Sequence, residues 1–242
     1  MRVRVVEDAA AVARVSAEIV RRVVDGTGAP VIALPTGRTA VPLYDQLAAE
    51  RAASGWGLDR AHVFNLDELL LPPGPDGSPH PASFRAYMLG HAGARIGLAT
   101  DRWEMPDASA DPETECARYD RVLAAAGPLD LAVLGIGEDG HVAYNQPGPP
   151  VEDIHVVEVP EDVSDTLDVP AEERPLRAIT MGLGPLRRAR RLLLMASGEA
   201  KAEAVRALVL GREDERWPAS LLRSHPRFDV VADRAAVSRL RA

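Results

Sequence analysis

Pro30-Val31-Ile32-Ala33-Leu34-Pro35-Thr36-Gly37-Arg38-Thr39 is the stretch on which the fold turns. Residues 30–34 form a short, wholly apolar run of the kind buried on both faces of a parallel sheet. A glycine-bearing turn follows, and then apolar residues at helical spacing over 40–53. The same order of strand, loop and helix recurs along the chain. The first eight residues alternate valine with charge as a half-buried strand does, and 9–25 reads as a helix stopped at Gly26-Thr27-Gly28. Further strands are expected at His62 to Leu66, 130–135, 154–158, 177–181, 191–196 and 228–231. Further helices are expected at 81–92, where His80 stands beside Pro81, at 112–126, at 199–209 and at the C-terminus. Such alternation predicts right-handed crossovers, a mainly parallel sheet and helices on both faces. No repeat or low-complexity linker divides the 242 residues, so one three-layer αβα domain over 1–242 is expected. The proline-rich segments 72–82 and 147–151 and the acidic stretch 158–174 read as long surface loops over one sheet edge, where lids and binding loops are common.

Composition narrows the function. Hydrophobic residues make up 46% and charged residues 26%, ordinary values for a folded soluble chain. Nothing approaches the roughly 20 apolar residues of a membrane span, and Met1 to Asp8 lacks a signal-peptide core, so a cytoplasmic address without a membrane partner is expected. A net charge of −8 gives no basic footprint for nucleic acid, which leaves small molecules as partners. The one cysteine, Cys116, excludes an intramolecular disulfide and a multi-cysteine zinc site, and it reads as a plain helix residue. The histidines lack metal-ligand spacing, and no metal is expected. Of the 28 basic residues, 27 are arginines and one is Lys201. Lys201 is either a chance survivor or a position that needs a compact ammonium, for which arginine is no substitute.

In open α/β sheets ligands bind beyond the carboxyl ends of strands, and three such places are polar here. The first is Thr36-Gly37-Arg38-Thr39, where backbone N–H groups and two hydroxyls at a helix N-terminus offer an anion site. Thr39 as a simple helix cap is the competing reading. The second is Asp67-Glu68 at a strand end. Successive strand side chains point to opposite faces, so one acid is expected to face the cleft, as a general base if burial raises its pKa, while the other pairs or caps. Solvated turn acids are the alternative. The third is the loop from Gly135 to Gly148, in which Gly137 and Gly140 allow close approach of the backbone. Asp139 and His141 flank Gly140 at a spacing where a carboxylate can orient an imidazole.

Read in order, LPTGRT, FNLDE, HPASFRAYM, DLAVLGIGEDGHVAYNQPG, AITMG, SGEAK and WPASLLRSHP resemble the glucosamine-6-phosphate deaminase and 6-phosphogluconolactonase superfamily over most of the chain. FNLDE with Leu69 after the acids, and NQPG after DGHVAY, resemble the deaminase branch; the lactonases carry an arginine after the acids. The resemblance implies a Rossmann-like α/β fold. It also implies cofactor-independent conversion of an amino-sugar phosphate to a ketose phosphate with release of ammonia. By the match, His141 oriented by Asp139 opens the sugar ring, and Asp67 moves the proton from C2 to C1. Thr36, Gly37, Arg38 and Thr39 hold the phosphate with Lys201 as counter-ion, while Glu68, Gly137 and Gly140 complete the binding residues. Gln146 stands where the deaminases carry a glutamate beside the imidazole. An amide hydrogen-bonds a ring but neither stabilises an imidazolium by charge nor accepts a proton, so slowed or differently gated ring opening is expected. A further phosphate arginine of the family falls near Asp165, in a stretch without arginine until Arg174, and Arg38 is expected to substitute. Competing readings are the same mechanism on a different amino sugar, hydrolysis of 6-phosphogluconolactone, and a non-catalytic sugar-phosphate sensor. A homo-oligomer is allowed by all of them.

Overall fold

The structure is a computed structural model and describes all residues except 165, 166, 168, 170–172, 241 and 242, with nothing stated of the side chains of 162 and 163. Seven strands form one sheet, in the order β1 (Arg2–Val6), β10 (Phe228–Asp233), β9 (Leu192–Ala196), β6 (Leu131–Leu134), β2 (Val31–Leu34), β3 (His62–Asn65) and β5 (Trp103–Glu104). Every pairing in it is parallel. The two-residue period of each strand sends alternate side chains into two separate cores. Ile32, Leu34, Val133 and Leu193 pack with helices α1 (Ala9–Thr27) and α2 (Val41–Ser54). Ala33, Leu134, Leu192 and Leu194 pack on the opposite face with α4 (Pro112–Ala126) and α7 (Ala202–Leu210). The expected three layers are therefore present, and the strands read as continuous apolar runs because both faces are covered.

From β2 the chain builds outward through β3 and β5, then returns to the other side of β2 with β6, β9 and β10. The order reverses between β2 and β6, which opens a crevice at their carboxyl ends. That crevice is where Pro35–Thr39 and Gly135–His141 emerge.

A second, antiparallel sheet of three strands, β4 (Asp67–Leu69), β8 (Arg177–Thr180) and β7 (His155–Glu158), was not legible as such in the sequence. The strand expected at His62 to Leu66 stops at Asn65. The N–H of Leu66 still donates to Leu34 O at 3.1 Å, while its carbonyl accepts from Met181 N at 2.8 Å, so one residue hands the chain from the first sheet to the second. Asp67 is the first residue beyond that transfer.

Other differences are local. The helix expected at 81–92 is α3 (Phe84–His91), because extended Ser83 caps it by accepting from Ala86 N, and residues 80–83 form a turn. Residues 199–201 form a 3-10 turn before α7. The described residues end in a 3-10 turn at Ser238–Leu240 where an α-helix was expected, and β10 runs two residues further, to Asp233. Short elements β5 and α6 (Leu183–Arg188) carry too few residues to show a period. The expected loop after β7 contains a short helix, α5 (Glu161–Ser164), and Asp165 lies outside the described residues.

Candidate active site

The loop between β2 and α2 presents bare backbone. The N–H groups of Thr36, Gly37, Arg38 and Thr39 have no backbone acceptor among the described residues. Helix α2 is capped by Ala40 without a side-chain hydrogen bond, so Thr39 is not its cap. Gly37 adopts φ +97°, and its carbonyl accepts from Ala40 N and from the Tyr87 hydroxyl at 2.8 Å, which pins the turn from the other side. Unpaired donors at the positive end of a 14-residue helix suit an anion. Lys201, at the start of α7, reaches the same crevice. Its Nζ lies 3.9 Å from Glu138 Oε1, and the side chain is 20% exposed. Burial pushes the ammonium below its usual range; Glu138 and Asp139 oppose the shift, and the positive charge of Arg38 adds to it. Two cations and an open set of N–H groups thus converge on one side of the crevice.

After β6, Gly137, Asp139, Gly140 and His141 form a closed turn. His141 Nδ1 sits 2.7 Å from Asp139 Oδ1, which also accepts from the His141 N–H at 3.1 Å. With Asp139 ionised this fixes the proton on Nδ1 and leaves Nε2 for a ligand. Burial pushes the Asp139 carboxyl up, but the hydrogen bond and charge of His141 outweigh it and hold the carboxyl below the usual range. A Cβ on Gly137 would lie 2.2 Å from His141 Nδ1, so only glycine leaves room for the ring. Gly140 adopts φ +83° with Trp217 packed against it. The imidazole is stacked on Tyr144 with centroids 6.3 Å apart, and Tyr144 is stacked in turn on Phe84 at 5.9 Å.

Asp67 and Glu68 diverge as the alternation of a strand requires. Asp67 is 5% exposed, and its Oδ1 accepts from the Thr180 hydroxyl at 2.5 Å. Burial raises its pKa to about 7, against the lowering effects of the Thr180 hydrogen bond, the nearby His141 and the Tyr144 N–H. Glu68 points the other way. Its Oε1 accepts from Leu69 N and Phe84 N, both at 2.8 Å, and its Oε2 accepts from Arg85 N at 2.9 Å. Glu68 is thereby occupied as a buried anchor for the first turn of α3, a different post from the substrate contact expected of it. Burial raises its pKa to about 7 as well, with those three donors pulling it back.

Gln146 also departs from expectation. A tight reversal at Val142–Asn145 precedes it: Asn145 N donates to Val142 O, and Asn145 Nδ2 donates to Val142 O and Met181 O. The Gln146 amide donates instead to Glu158 O on β7, at 2.8 Å. Next to it an apolar cleft of about 420 Å³ shares Tyr144, Asn145 and Gln146 with the site but contains neither Asp67 nor the Asp139–His141 pair, so the chemistry lies beside this cleft and outside it. Thr180, Tyr144 and Phe84 are site residues that residue-by-residue reading did not single out. For Thr180 the signal was its place at the polar end of the apolar run Ala178–Thr180, the same signal that marked Asp67.

Comparison with known proteins places the chain in a family. Residues 6–231 match the family described as glucosamine-6-phosphate isomerases/6-phosphogluconolactonase. A glucosamine-6-phosphate deaminase of Bacillus velezensis is 37% identical over 91% of this chain and 92% of its own length. One from Streptomyces avermitilis is 36% identical over the whole chain and 93% of its own length. A solved monomeric glucosamine-6-phosphate deaminase superposes with a TM-score of 0.90 at 31% identity, covering 98% of this chain and 99% of that one. A 6-phosphogluconolactonase of Thermotoga maritima, with a TM-score of 0.71 at 22% identity over 96% of this chain and 99% of its own, shares the fold. The chain belongs to the glucosamine-6-phosphate isomerase/6-phosphogluconolactonase family.

Proposed function

We propose that this chain converts glucosamine 6-phosphate and water to fructose 6-phosphate and ammonia in the cytoplasm, without a cofactor. The observation that carries the reading is Asp67, a buried carboxylate with a pKa of about 7 and near enough to His141, the partner of Asp139, to feel its charge. Lactone hydrolysis needs a histidine to activate water but no second, buried base. A proton shift between C2 and C1 needs one.

In this reading the phosphate rests on the N–H groups and hydroxyls of 36–39, with Arg38 and Lys201 balancing its charge. His141 Nε2 takes the anomeric hydroxyl proton and returns it to the ring oxygen, which opens the ring. Asp67 then removes the C2 proton. The C–H electron pair forms the C1=C2 bond while the aldehyde oxygen takes a proton from solvent. Asp67 delivers its proton to C1, the nitrogen lone pair makes C2=N, and water hydrolyses that bond to the ketone and ammonia. The Asp67 carboxyl must be ionised at the outset, so kcat is expected to rise with pH through about 7.

The test is a parallel assay of ammonia and fructose 6-phosphate from glucosamine 6-phosphate, glucosamine and 6-phosphogluconolactone. Equimolar ammonia and ketose phosphate from the first substrate support the reading. Lactone hydrolysis with no ammonia would replace it.

A further inference from the structure

The Thr180 hydroxyl is fully buried and stands between two groups of the site. Its Oγ1 accepts from Tyr144 N at 3.0 Å, and an amide N–H can only donate. Its single hydrogen points to Asp67 Oδ1 at 2.5 Å, and any other orientation would leave that hydrogen buried without an acceptor among the described residues. Backbone pairing sets the contact before the side chains do: Asp67 and Thr180 are direct partners in the antiparallel register of β4 and β8. Ala143 has φ +52°, a left-handed conformation costly for a residue with a Cβ, and it immediately precedes the N–H that reaches Thr180. A locally unfavourable backbone thus brings one N–H to the Thr180–Asp67 pair.

We infer that Thr180 is a positioning residue for Asp67, holding Oδ1 as a committed acceptor so that Oδ2 is the oxygen that takes and returns the substrate proton. Among the described residues Thr180 is the one side chain hydrogen-bonded to this carboxylate, and the other donor near it is the Tyr144 backbone N–H. The fixed oxygen sets the plane of the carboxylate, and with it the path of Oδ2 between C2 and C1. It also favours the ionised form that the base needs at the start. Thr180 touches no reacting atom in this scheme.

The inference rests on Asp67 being the base, and its test separates the two claims. Thr180→Val keeps the shape and removes the hydroxyl; Thr180→Ser keeps the hydroxyl and removes the methyl. Thr180→Val is expected to lower kcat about tenfold with KM within about twofold, and to move the acid limb of kcat to higher pH. Thr180→Ser is expected to restore the limb and most of kcat. In parallel, 13C NMR of the Asp67 carboxyl, assigned with Asp67→Asn, follows its titration without any substrate, and it should titrate higher in Thr180→Val than in wild type or Thr180→Ser. An unmoved titration in Thr180→Val, or a Thr180→Ser protein as impaired as Thr180→Val, overturns the positioning role. Should Thr180→Val fail to fold, Thr180→Ala takes its place with the same expected outcomes. A wild-type enzyme silent on glucosamine 6-phosphate refutes the deaminase reading, while the carboxyl titration still decides the Thr180 contact.

Discussion

The crevice is built by two sheets that contribute in different ways. The parallel sheet delivers backbone: the open N–H groups of 36–39 and the glycine turn that seats His141, each at the end of an apolar strand. The small antiparallel sheet delivers buried side chains, with Asp67 and Thr180 facing each other across one rung. The first arrangement suits the fixed charge of a phosphate, which a polar, partly solvated cradle holds well. The second suits a base, because burial is what lifts a carboxyl toward neutral pH. Asp67 and Glu68 sharpen the contrast. They are adjacent, both buried and shifted in the same direction, yet one is held by the Thr180 hydroxyl and the other is consumed by three backbone donors.

The largest effect that can break this division is at Asp67. Asp67→Asn keeps the shape and an acceptor for Thr180 while removing the base, and kcat is expected to fall on the order of 10³-fold with the fold intact by circular dichroism. His141→Gln is expected to lose about 10²-fold, because ring opening still proceeds slowly in water. In the parallel-sheet half, Lys201→Ala should act on binding: KM for glucosamine 6-phosphate rises about tenfold, while kcat/KM for unphosphorylated glucosamine is unchanged in the same assay. Equal losses on both substrates would remove the counter-ion role.

Glu68→Gln probes the other acid. It should leave kcat within about threefold of wild type and lower stability in urea by about 1–3 kcal/mol, since an amide cannot accept all three N–H groups. A large loss of kcat with unchanged stability would place Glu68 in the chemistry after all. The last effect leaves the chemistry aside and is on the pH dependence of stability. Asp67 has a pKa of about 7 folded and an ordinary carboxyl pKa of 3.8 unfolded, so between these values the folded state binds more protons and stability falls as pH rises. Asp67→Asn should therefore gain stability over wild type at pH 8 relative to pH 4, as read from urea midpoints at the two values.

The same division governs what was legible in the sequence. Residues 30–39 and 130–141 announce themselves locally, because an all-apolar run followed by glycine and polar residues is a strand with a ligand loop wherever it occurs. The alternation of strand side chains also separated Asp67 from Glu68. Which of the two faces the cleft was decided by β8, more than a hundred residues further along, and no local pattern encodes that pairing. Gln146, placed by the resemblance beside the imidazole, follows the reversal at Val142–Asn145 with its left-handed Ala143, and its amide donates to the edge of β7. Glu68 shows a second limit, since its partners Phe84 and Arg85 belong to a helix whose start was placed too early.

Proton transfer at C2 is the step that joins the two halves of the site, and it can be watched directly. Wild-type protein given glucosamine 6-phosphate deuterated at C2 in ordinary water, followed by proton NMR, is expected to yield fructose 6-phosphate carrying that deuterium at C1. Asp67→Asn is expected to abolish both the label and the product. Labelled product formed by Asp67→Asn at the wild-type rate would contradict the account, because the proton would then be moved by some group other than the carboxylate between Thr180 and His141.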